Sequence, residues 1–394
     1  MRFLVQRQSF LQHEGKNGTL KAVKKLECIQ KDPISVVHRN HHLVLHNRVL
    51  DYKPFYLDDL LYNDRLLFEY WCNAKSIIPM DDFHYFRYRM QNPSQFHSPF
   101  FERIKRRREE LKDCVSLVLT EIRKHGPLSS KELETNGKLK RRSATRVLNL
   151  LWDSGDLMIH HMEGNRRYYG LTELLLPANV DSRTMSREEY AQFMVEKYMR
   201  ACGLVDTRDW RFGWLSLNAS QRKTTVKEMV KEQKLIQIKV KGLNQVYYVL
   251  KEYIELLESS DEPVRESVFF VAPLDNLLWN RRLIAEVFNF NYAWEVYKTP
   301  EKRMYGYYVM PILFGSRFVG RLDPKLERRN REMIINSVHL EEKNLERDIF
   351  TSEFAKAFQR FLEFHDVSQF NIQKTEPKRL RNLLMKESDS VTRR

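Results

Sequence analysis

Residues 138–171 read KLKRRSATRVLNLLWDSGDLMIHHMEGNRRYYGL, and this stretch decides the predicted fold of the middle of the chain. Four apolar residues recur at the spacing of one helical face, and they are Ala144, Val147, Leu148 and Leu151. The spacing predicts an amphipathic helix that ends at Gly155. Two short runs then flank a turn at Glu163, Gly164 and Asn165, which is the pattern of a β-hairpin.

Two further helices are predicted on the N-terminal side of this stretch. Apolar residues recur at helical spacing from Asp113 to Lys124, and the run SSKELE carries a serine cap followed by glutamate. Three helices followed by a hairpin describe a winged helix, whose third helix enters the major groove of DNA. The pattern recurs at residues 186–250, with helices over Arg187–Ala201 and Ser220–Lys234 and a hairpin over LIQIKVKGLNQVYYVL.

The C-terminal part changes character after the polar run ESSDEPVRE. The runs YAWEVYKTP, YGYYVMPILFGSRFVGRLD and REMIINSVHLEE are predicted strands, and residues 349–364 are a closing amphipathic helix. The predicted fold class is therefore α+β, with tandem winged-helix domains followed by a β-rich domain. We expect domains at residues 1–108, 109–178, 179–258 and 259–374, followed by a disordered tail at 375–394.

Composition limits the classes of function. The 394 residues carry a formal net charge of +15, which favours an anionic partner such as nucleic acid. The four cysteines form no CxxC pair and are expected to be reduced thiols. No run of eighteen apolar residues and no signal peptide is found, so we expect a cytoplasmic, nucleoid-associated protein without a membrane anchor.

Residues 28–48, CIQKDPISVVHRNHHLVLHNR, hold the strongest hint of chemistry. Pro33 disfavours helical angles at Asp32, so a helix that covers Leu26 and Ile29 should end near Gln30 and continue as extended chain. Side chains two apart then share a face, which would let Gln30 and Asp32 hold one water between them. From the local sequence alone, we rank the interpretation that Asp32 and Pro33 merely terminate a helix ahead of this one.

The histidines of the same segment allow two interpretations. Pairs spaced by four residues can ligate zinc, but the group lacks an interleaved glutamate and a third ligand at a usual spacing. We favour phosphate contact by Arg39 and the exposed histidines, and packing by the others. The expected DNA contacts along the chain are Lys31, His38, Arg39, His42, Arg141, Arg142, Arg146, Arg166, Arg167, Arg222 and Lys223.

Four blocks of this sequence resemble the YcaQ/AlkZ-type winged-helix DNA glycosylases, bacterial enzymes that unhook interstrand crosslinks and remove alkylated purines. The blocks are IQKDPISVVHRNHHLVLHNRVLDY, LLFEYWCNAKSIIPMDDFHYFRYRM, RRYYGLTELLLP and LDNLLWNRRLIAEVFNFNYAWEVYKTPEKRMYGYYVMPILFGSRFVGRLD. They occur in matching order and cover nearly the whole chain up to about residue 345. The resemblance implies tandem winged helices and a β-rich terminal domain arranged around DNA.

The resemblance also implies a catalytic pair of the form glutamine, hydrophobic residue, then glutamine or aspartate. Gln30, Lys31 and Asp32 occupy these positions, which is similar to the aspartate-bearing YcaQ branch. Lys31 departs from the pattern, because a lysine there must lay its alkyl stem on the core or turn toward DNA. We expect Asp32 to act as general base and electrostatic stabiliser, and Gln30 to orient the water.

The resulting prediction is a DNA glycosylase acting on N7-alkylated purines and crosslinks in double-stranded DNA. It is expected to be a monomer and to need no metal or organic cofactor. One alternative is a non-catalytic winged-helix regulator, which predicts a preferred sequence site and no base release. Another is a glycosylase/lyase in which Lys31 forms a Schiff base with the sugar.

Overall fold

The computed structural model describes residues 1–92, 106–180, 185–259, 265–341, 345, 348–367, 369–378 and 380–385. They form a mixed α+β protein with a β-sheet in the C-terminal part, which confirms the predicted fold class. The chain divides into two units. The first comprises Met1–Pro54, Met199–Asp209 and Thr225–Arg394, and the second comprises Phe55–Tyr198 and Trp210–Thr224. The predicted domain boundaries differ from this division and stay predictions.

Helices and strands are interspersed along the described residues. The described helices include α1 (Arg2–Gln6), α2 (Gly15–Leu26), α3 (Asn40–His46), α4 (Pro54–Tyr62), α5 (Phe83–Gln91), α6 (Lys112–His125), α7 (Ser130–Thr135), α8 (Arg141–Asp153), α9 (Thr172–Leu175), α10 (Arg187–Cys202), α11 (Ala219–Lys231), α12 (Ile254–Glu258), α13 (Arg281–Phe288) and α14 (Asp348–Phe364). The described strands include β1 (Ile29–Gln30), β2 (Leu67–Trp71), β3 (Lys75–Pro79), β4 (Leu157–Glu163), β5 (Arg166–Leu171), β6 (Leu235–Lys239), β7 (Val246–Leu250), β8 (Val268–Phe270), β9 (Met310–Phe314), β10 (Arg317–Glu327), β11 (Glu332–Leu340), β12 (Gln369–Ile372) and β13 (Thr375–Glu376).

The second unit contains the three helices and the hairpin predicted over residues 113–171. The carboxylate of Glu132 accepts a hydrogen bond from the backbone N–H of Ser129 (2.8 Å), so the predicted serine and glutamate do meet at the start of α7. The apolar face of α8 is buried. Strands β4 and β5 pair antiparallel, from Leu157 opposite Leu171 to Glu163 opposite Arg166. The order of elements is the one expected of a winged helix.

The second predicted repeat is also present as separate elements. Helix α10 begins at the predicted residue, α11 ends three residues before the predicted Lys234, and β6 and β7 form the predicted hairpin. The division between the two units passes through α11 at residues 224 and 225. The elements of this repeat are therefore shared between the units.

The β-rich part is a six-stranded sheet in the first unit. Its order is β12-β11-β10-β9-β8, with β13 also paired to β11. Strands β8 to β11 pair antiparallel, whereas β12 and β13 run parallel to β11. Helix α14 packs on β8, where Phe270 meets Phe354 and Phe361 edge to face. No helix of the described residues is long and apolar enough to span a membrane.

Two predictions about this part are wrong. Residues 292–300, predicted as a strand, form turns, because the buried carboxylate of Glu295 binds backbone N–H groups of residues 304–306 and folds this segment back. Disorder from residue 375 is also wrong at its start. Thr375–Glu376 pairs with β11 and residues 380–385 are helical, while residues 386–394 lie outside the described part of the chain.

Candidate active site and nucleic-acid interface

Helix α2 ends before the candidate catalytic pair. The predicted end near Gln30 is four residues too late, since the helix stops at Leu26 and Glu27 has a positive φ of 68°. The Glu27 carboxylate accepts a hydrogen bond from Arg200 Nε (2.6 Å), which stabilises the end of this helix. Residues 29–30 are then extended, so Ile29, predicted to lie on the helix, belongs to strand β1.

Asp32 forms a tight local turn. Its Oδ1 accepts a hydrogen bond from the backbone N–H of Ile34 (2.9 Å). The helix stop expected at Asp32 and Pro33 is wrong, because α2 already ends at Leu26. Oδ2 is not used in this bond. Partial burial raises the pKa of Asp32, and the bond from Ile34 opposes that shift. The result is a half-buried carboxylate that binds a proton more readily than an exposed one.

Two buried asparagines fix the backbone on the N-terminal side of Asp32. Asn276 Nδ2 donates to the carbonyl oxygens of Leu26 (2.9 Å) and Cys28 (3.0 Å). Asn40 Nδ2 donates to the carbonyl oxygen of Gln30 (3.1 Å), and its Oδ1 accepts from Leu274 N–H (3.0 Å). Sequence reasoning missed both residues. Both lie in the quoted blocks, but nothing in the sequence shows which distant carbonyl each one meets.

A buried ion pair joins Arg48 to Asp275, the residue before Asn276. The guanidinium of Arg48 donates to both carboxylate oxygens of Asp275 (2.8 and 2.9 Å), and both side chains are fully buried. Arg48 also donates to Gln8 Oε1 (2.7 Å) and to the carbonyl oxygen of Val44 (2.9 Å). This pair joins α3 to the residues that hold the candidate catalytic segment.

Strand β10 holds the C-terminal side of the same segment. Leu326 N–H donates to the carbonyl oxygen of Val36 (3.3 Å), and Arg328 donates to the carbonyl oxygens of Ser35 (2.9 Å) and Val37 (3.2 Å). Burial and the negative charge of Asp32 raise the pKa of Tyr308, which precedes β9. Tyr308 therefore lies within electrostatic reach of the Asp32 carboxylate.

The histidines form a packed block in the interior. His42 is buried and its Nδ1 lies 2.7 Å from the Tyr52 hydroxyl. His38 and His46 pack on the ring of Phe364, with ring centroids 5.1 and 4.4 Å away. Burial lowers the pKa of His38 to about 4 and that of His46 to about 3, and it lowers the pKa of His42 well below its usual value.

These imidazoles are therefore neutral near pH 7, and His42 is covered by other side chains. The burial of His42 favours packing over its expected DNA contact, whereas His38 is partly exposed and its DNA contact stays a prediction. Among the described residues, no group of three histidine, cysteine, aspartate or glutamate side chains is placed to hold a metal ion. Lys31 is half-buried, and its charge contributes to the low pKa of His41 and His42.

The predicted cationic contacts divide into two groups. Arg141, Arg142 and Arg146 are exposed on α8, as Lys223 is on α11, whereas Arg39 is partly covered at the start of α3. Three other predicted contacts bond to groups within the protein. Arg166 pairs with Glu163 (3.6 Å), Arg167 lies 4.0 Å from Glu69, and Arg222 donates to the carbonyl oxygen of Leu217 (2.7 Å).

Comparison with known proteins identifies the family of this chain. The model of the family described as DNA glycosylase AlkZ-like matches residues 23–364. The chain belongs to the AlkZ-like DNA glycosylase family. It is an enzyme of DNA repair that hydrolyses N-glycosyl bonds, and its substrate is DNA.

One solved structure has a similar fold. The Streptomyces sahachiroi DNA glycosylase AlkZ matches with a TM-score of 0.63 at 18% sequence identity, and the match covers 95% of this chain and 98% of that chain. At this identity the match shows a shared fold. The shared fold thus covers nearly the full length of both chains.

Proposed function

We propose that this DNA glycosylase removes N7-alkylated purines and unhooks interstrand crosslinks formed through such purines. The single observation that carries this proposal is the half-buried carboxylate of Asp32, two residues after Gln30, on a backbone held by Asn40 and Asn276. A rigid backbone keeps catalytic groups in one geometry, which is where much of the rate enhancement of an enzyme originates.

The chemistry of the lesion explains why so few groups suffice. An N7-alkylated purine is already cationic and leaves without further protonation, while the sugar develops positive charge. A carboxylate near that sugar stabilises the transition state and accepts a proton from the attacking water. In this proposal Asp32 performs both tasks, and Gln30 holds the water by hydrogen bonds.

Binding of the duplex is assigned to the exposed cations. Arg141, Arg142 and Arg146 lie on the helix that a winged helix places in the major groove, and Lys223 occupies the corresponding helix of the second repeat. Lys31 and Arg39 remain proposed contacts beside the catalytic pair. We further propose that the enzyme acts as a monomer, without a metal, on the DNA of the nucleoid.

The test uses two duplexes, one with a nitrogen-mustard-type N7-guanine crosslink and one with N7-methylguanine. We expect the purified protein to release N7-methylguanine, to leave an abasic site, and to convert the crosslinked duplex to unhooked strands. Release from the methylated duplex alone would restrict the proposal to monoadducts. Absence of release from both would overturn it. Borohydride should trap no covalent adduct, because the proposed reaction is hydrolysis without a Schiff base at Lys31.

A further inference from the structure

The segment between α13 and β9 exposes three large apolar side chains within eleven residues. Tyr297 is 80% exposed, Met304 76% and Tyr307 38%. Single exposed apolar residues are common on proteins and need no explanation. A group of them on one short connection marks a surface that binds something. We call residues 297–307 the contact loop.

A buried carboxylate holds the backbone of residues 304–306 of this loop in place. Glu295 is only 2% exposed, and its oxygens accept hydrogen bonds from the backbone N–H groups of Met304 (3.0 and 3.1 Å), Tyr305 (2.9 Å) and Gly306 (3.3 Å). Lys298 Nζ also donates to it (2.7 Å). Burial opposes ionisation, but the hydrogen bonds outweigh it and keep the pKa of Glu295 below its usual value.

A second buried carboxylate holds the two residues that follow. Asp323 on β10 accepts hydrogen bonds from the N–H groups of Tyr307 (3.3 Å) and Tyr308 (2.8 Å), and from Asn336 Nδ2 (3.2 Å). Gly306 adopts φ of 144°, and a Cβ there would collide with the Asp323 carboxylate. Two desolvated carboxylates therefore fix the backbone of a loop whose side chains are exposed. This arrangement is typical of a preorganised binding site.

The contact loop is connected to the candidate catalytic segment through β10. Asp323 fixes Tyr307 and Tyr308, and Leu326 on the same strand bonds to Val36, four residues after Asp32. Burial and the negative charge of Asp32 also raise the pKa of Tyr308. Strand β10 thus joins the contact loop to the segment that carries Asp32.

We propose that Met304 and Tyr307, assisted by Tyr297, contact the base stack of duplex DNA at the lesion and separate the damaged nucleotide from its neighbours. This inference rests on the proposed function of Asp32. Aromatic rings stack on bases, and methionine is among the apolar side chains that proteins insert between base steps. Arg303 lies 4.7 Å from the ring of Tyr307 and supplies a cation for the adjacent phosphate.

The experiment compares Met304→Ala and Tyr307→Ala with Leu174→Ala. Leu174 is 75% exposed and lies in the other unit, so it matches Met304 in exposure without belonging to the loop. Two probes are used. The first is the fluorescence of 2-aminopurine placed beside N7-methylguanine in a duplex. The second is the single-turnover rate of base release from a paired duplex and from a duplex with an abasic analogue opposite the lesion.

We expect the loop variants to lower release from the paired duplex about 5- to 150-fold, the range for loss of one stacked base. The loss should be much smaller opposite the abasic analogue, where the lesion is already poorly stacked. The fluorescence increase given by the parental protein should disappear in the loop variants and persist in Leu174→Ala.

Equal losses on both duplexes, or loop variants that behave as Leu174→Ala does, would overturn the inference and point to another occupant of the loop, such as a protein. If the parental protein releases no base from either duplex, the proposed function is wrong. The fluorescence comparison still decides the role of the loop in that case.

Discussion

The side-chain amide of Asn40 donates a hydrogen bond to the main-chain carbonyl oxygen of Gln30 at 3.1 Å, across ten residues of sequence. Asn40 is buried at the start of α3, and its Oδ1 accepts the N–H of Leu274. One side chain therefore joins the candidate catalytic segment to the block that contains Asp275 and Asn276. The position of Gln30 depends on a residue that touches no substrate.

Replacing Asn40 should reduce catalysis more than binding. We expect Asn40→Ala to lower the rate of base release about 10- to 100-fold, since a displacement near 1 Å can cost that much, while the KM for DNA changes little. Asn40→Asp keeps the acceptor for Leu274 but loses the donor to Gln30, so it should share the defect. Asn371→Ala, at an exposed position on β12, is the control and should match the parental rate. Steady-state kinetics that show a rise in KM alone would contradict the positioning role.

The Arg48–Asp275 pair should dominate the stability of the first unit. Asp275→Asn leaves the guanidinium of Arg48 buried without a counter-charge, and we expect a loss of about 3–5 kcal/mol in the free energy of unfolding. The exposed pair between Arg331 and Asp366 (2.6 Å) provides the control, because exposed pairs contribute about 1 kcal/mol or less. Chemical denaturation of Asp275→Asn and Asp366→Asn measures both. Similar losses in the two variants would show that the buried pair has no special role.

The packed histidines predict a loss of stability in mild acid. Burial lowers the pKa of His38 and His365 to about 4 and that of His46 to about 3, whereas the unfolded chain binds these protons near pH 6.5. The unfolded state thus binds more protons between pH 6.5 and 4, and stability falls as the pH falls through this window. His46→Phe keeps the stack on Phe364 without a titrating group, so its stability should depend less steeply on pH. Equal slopes for parental and variant proteins in urea denaturation would contradict the placement of His46.

Exposed arginines on α8 should bind DNA through phosphates. Changing Arg141, Arg142 and Arg146 together to Gln should weaken binding of damaged and undamaged duplexes alike. The slope of log K against log salt should fall by up to about 3, since each phosphate that is no longer neutralised removes about 0.9. Lys356→Gln, which removes an exposed cation of α14, is the control. A selective loss on damaged DNA would assign these arginines to lesion recognition instead.

Periodic features were predictable from the sequence. The helical spacing over α6 and α8 and the turn at residues 163–165 depend on neighbours within a few residues, and these elements formed as predicted. The helix end argued from Pro33 did not, because α2 ends four residues earlier. Residues 292–300 failed for a physical reason. Their alternating pattern favours a strand, but the carboxylate of Glu295 competes for backbone N–H groups and folds the segment into turns.

Long-range contacts could not be predicted in this way. Asn276 meets the carbonyl oxygen of Cys28 across 248 residues, and Asp275 meets Arg48 across 227. Such contacts form only in the folded chain, and no periodic pattern in a single sequence indicates them. The histidines show the same limit, because only the packing of Phe364 and Tyr52 decides that they face inward.

The central claim is that Asp32 performs the chemistry, and the most direct measurement is the single-turnover release of N7-methylguanine by Asp32→Asn. The introduced amide would retain the size of the side chain and an oxygen for the N–H of Ile34, so fold and DNA affinity should be kept. We predict that the rate falls at least about 100-fold, as expected when a base and an electrostatic stabiliser are lost together. Release at the parental rate by a folded, DNA-binding Asp32→Asn protein would contradict the account.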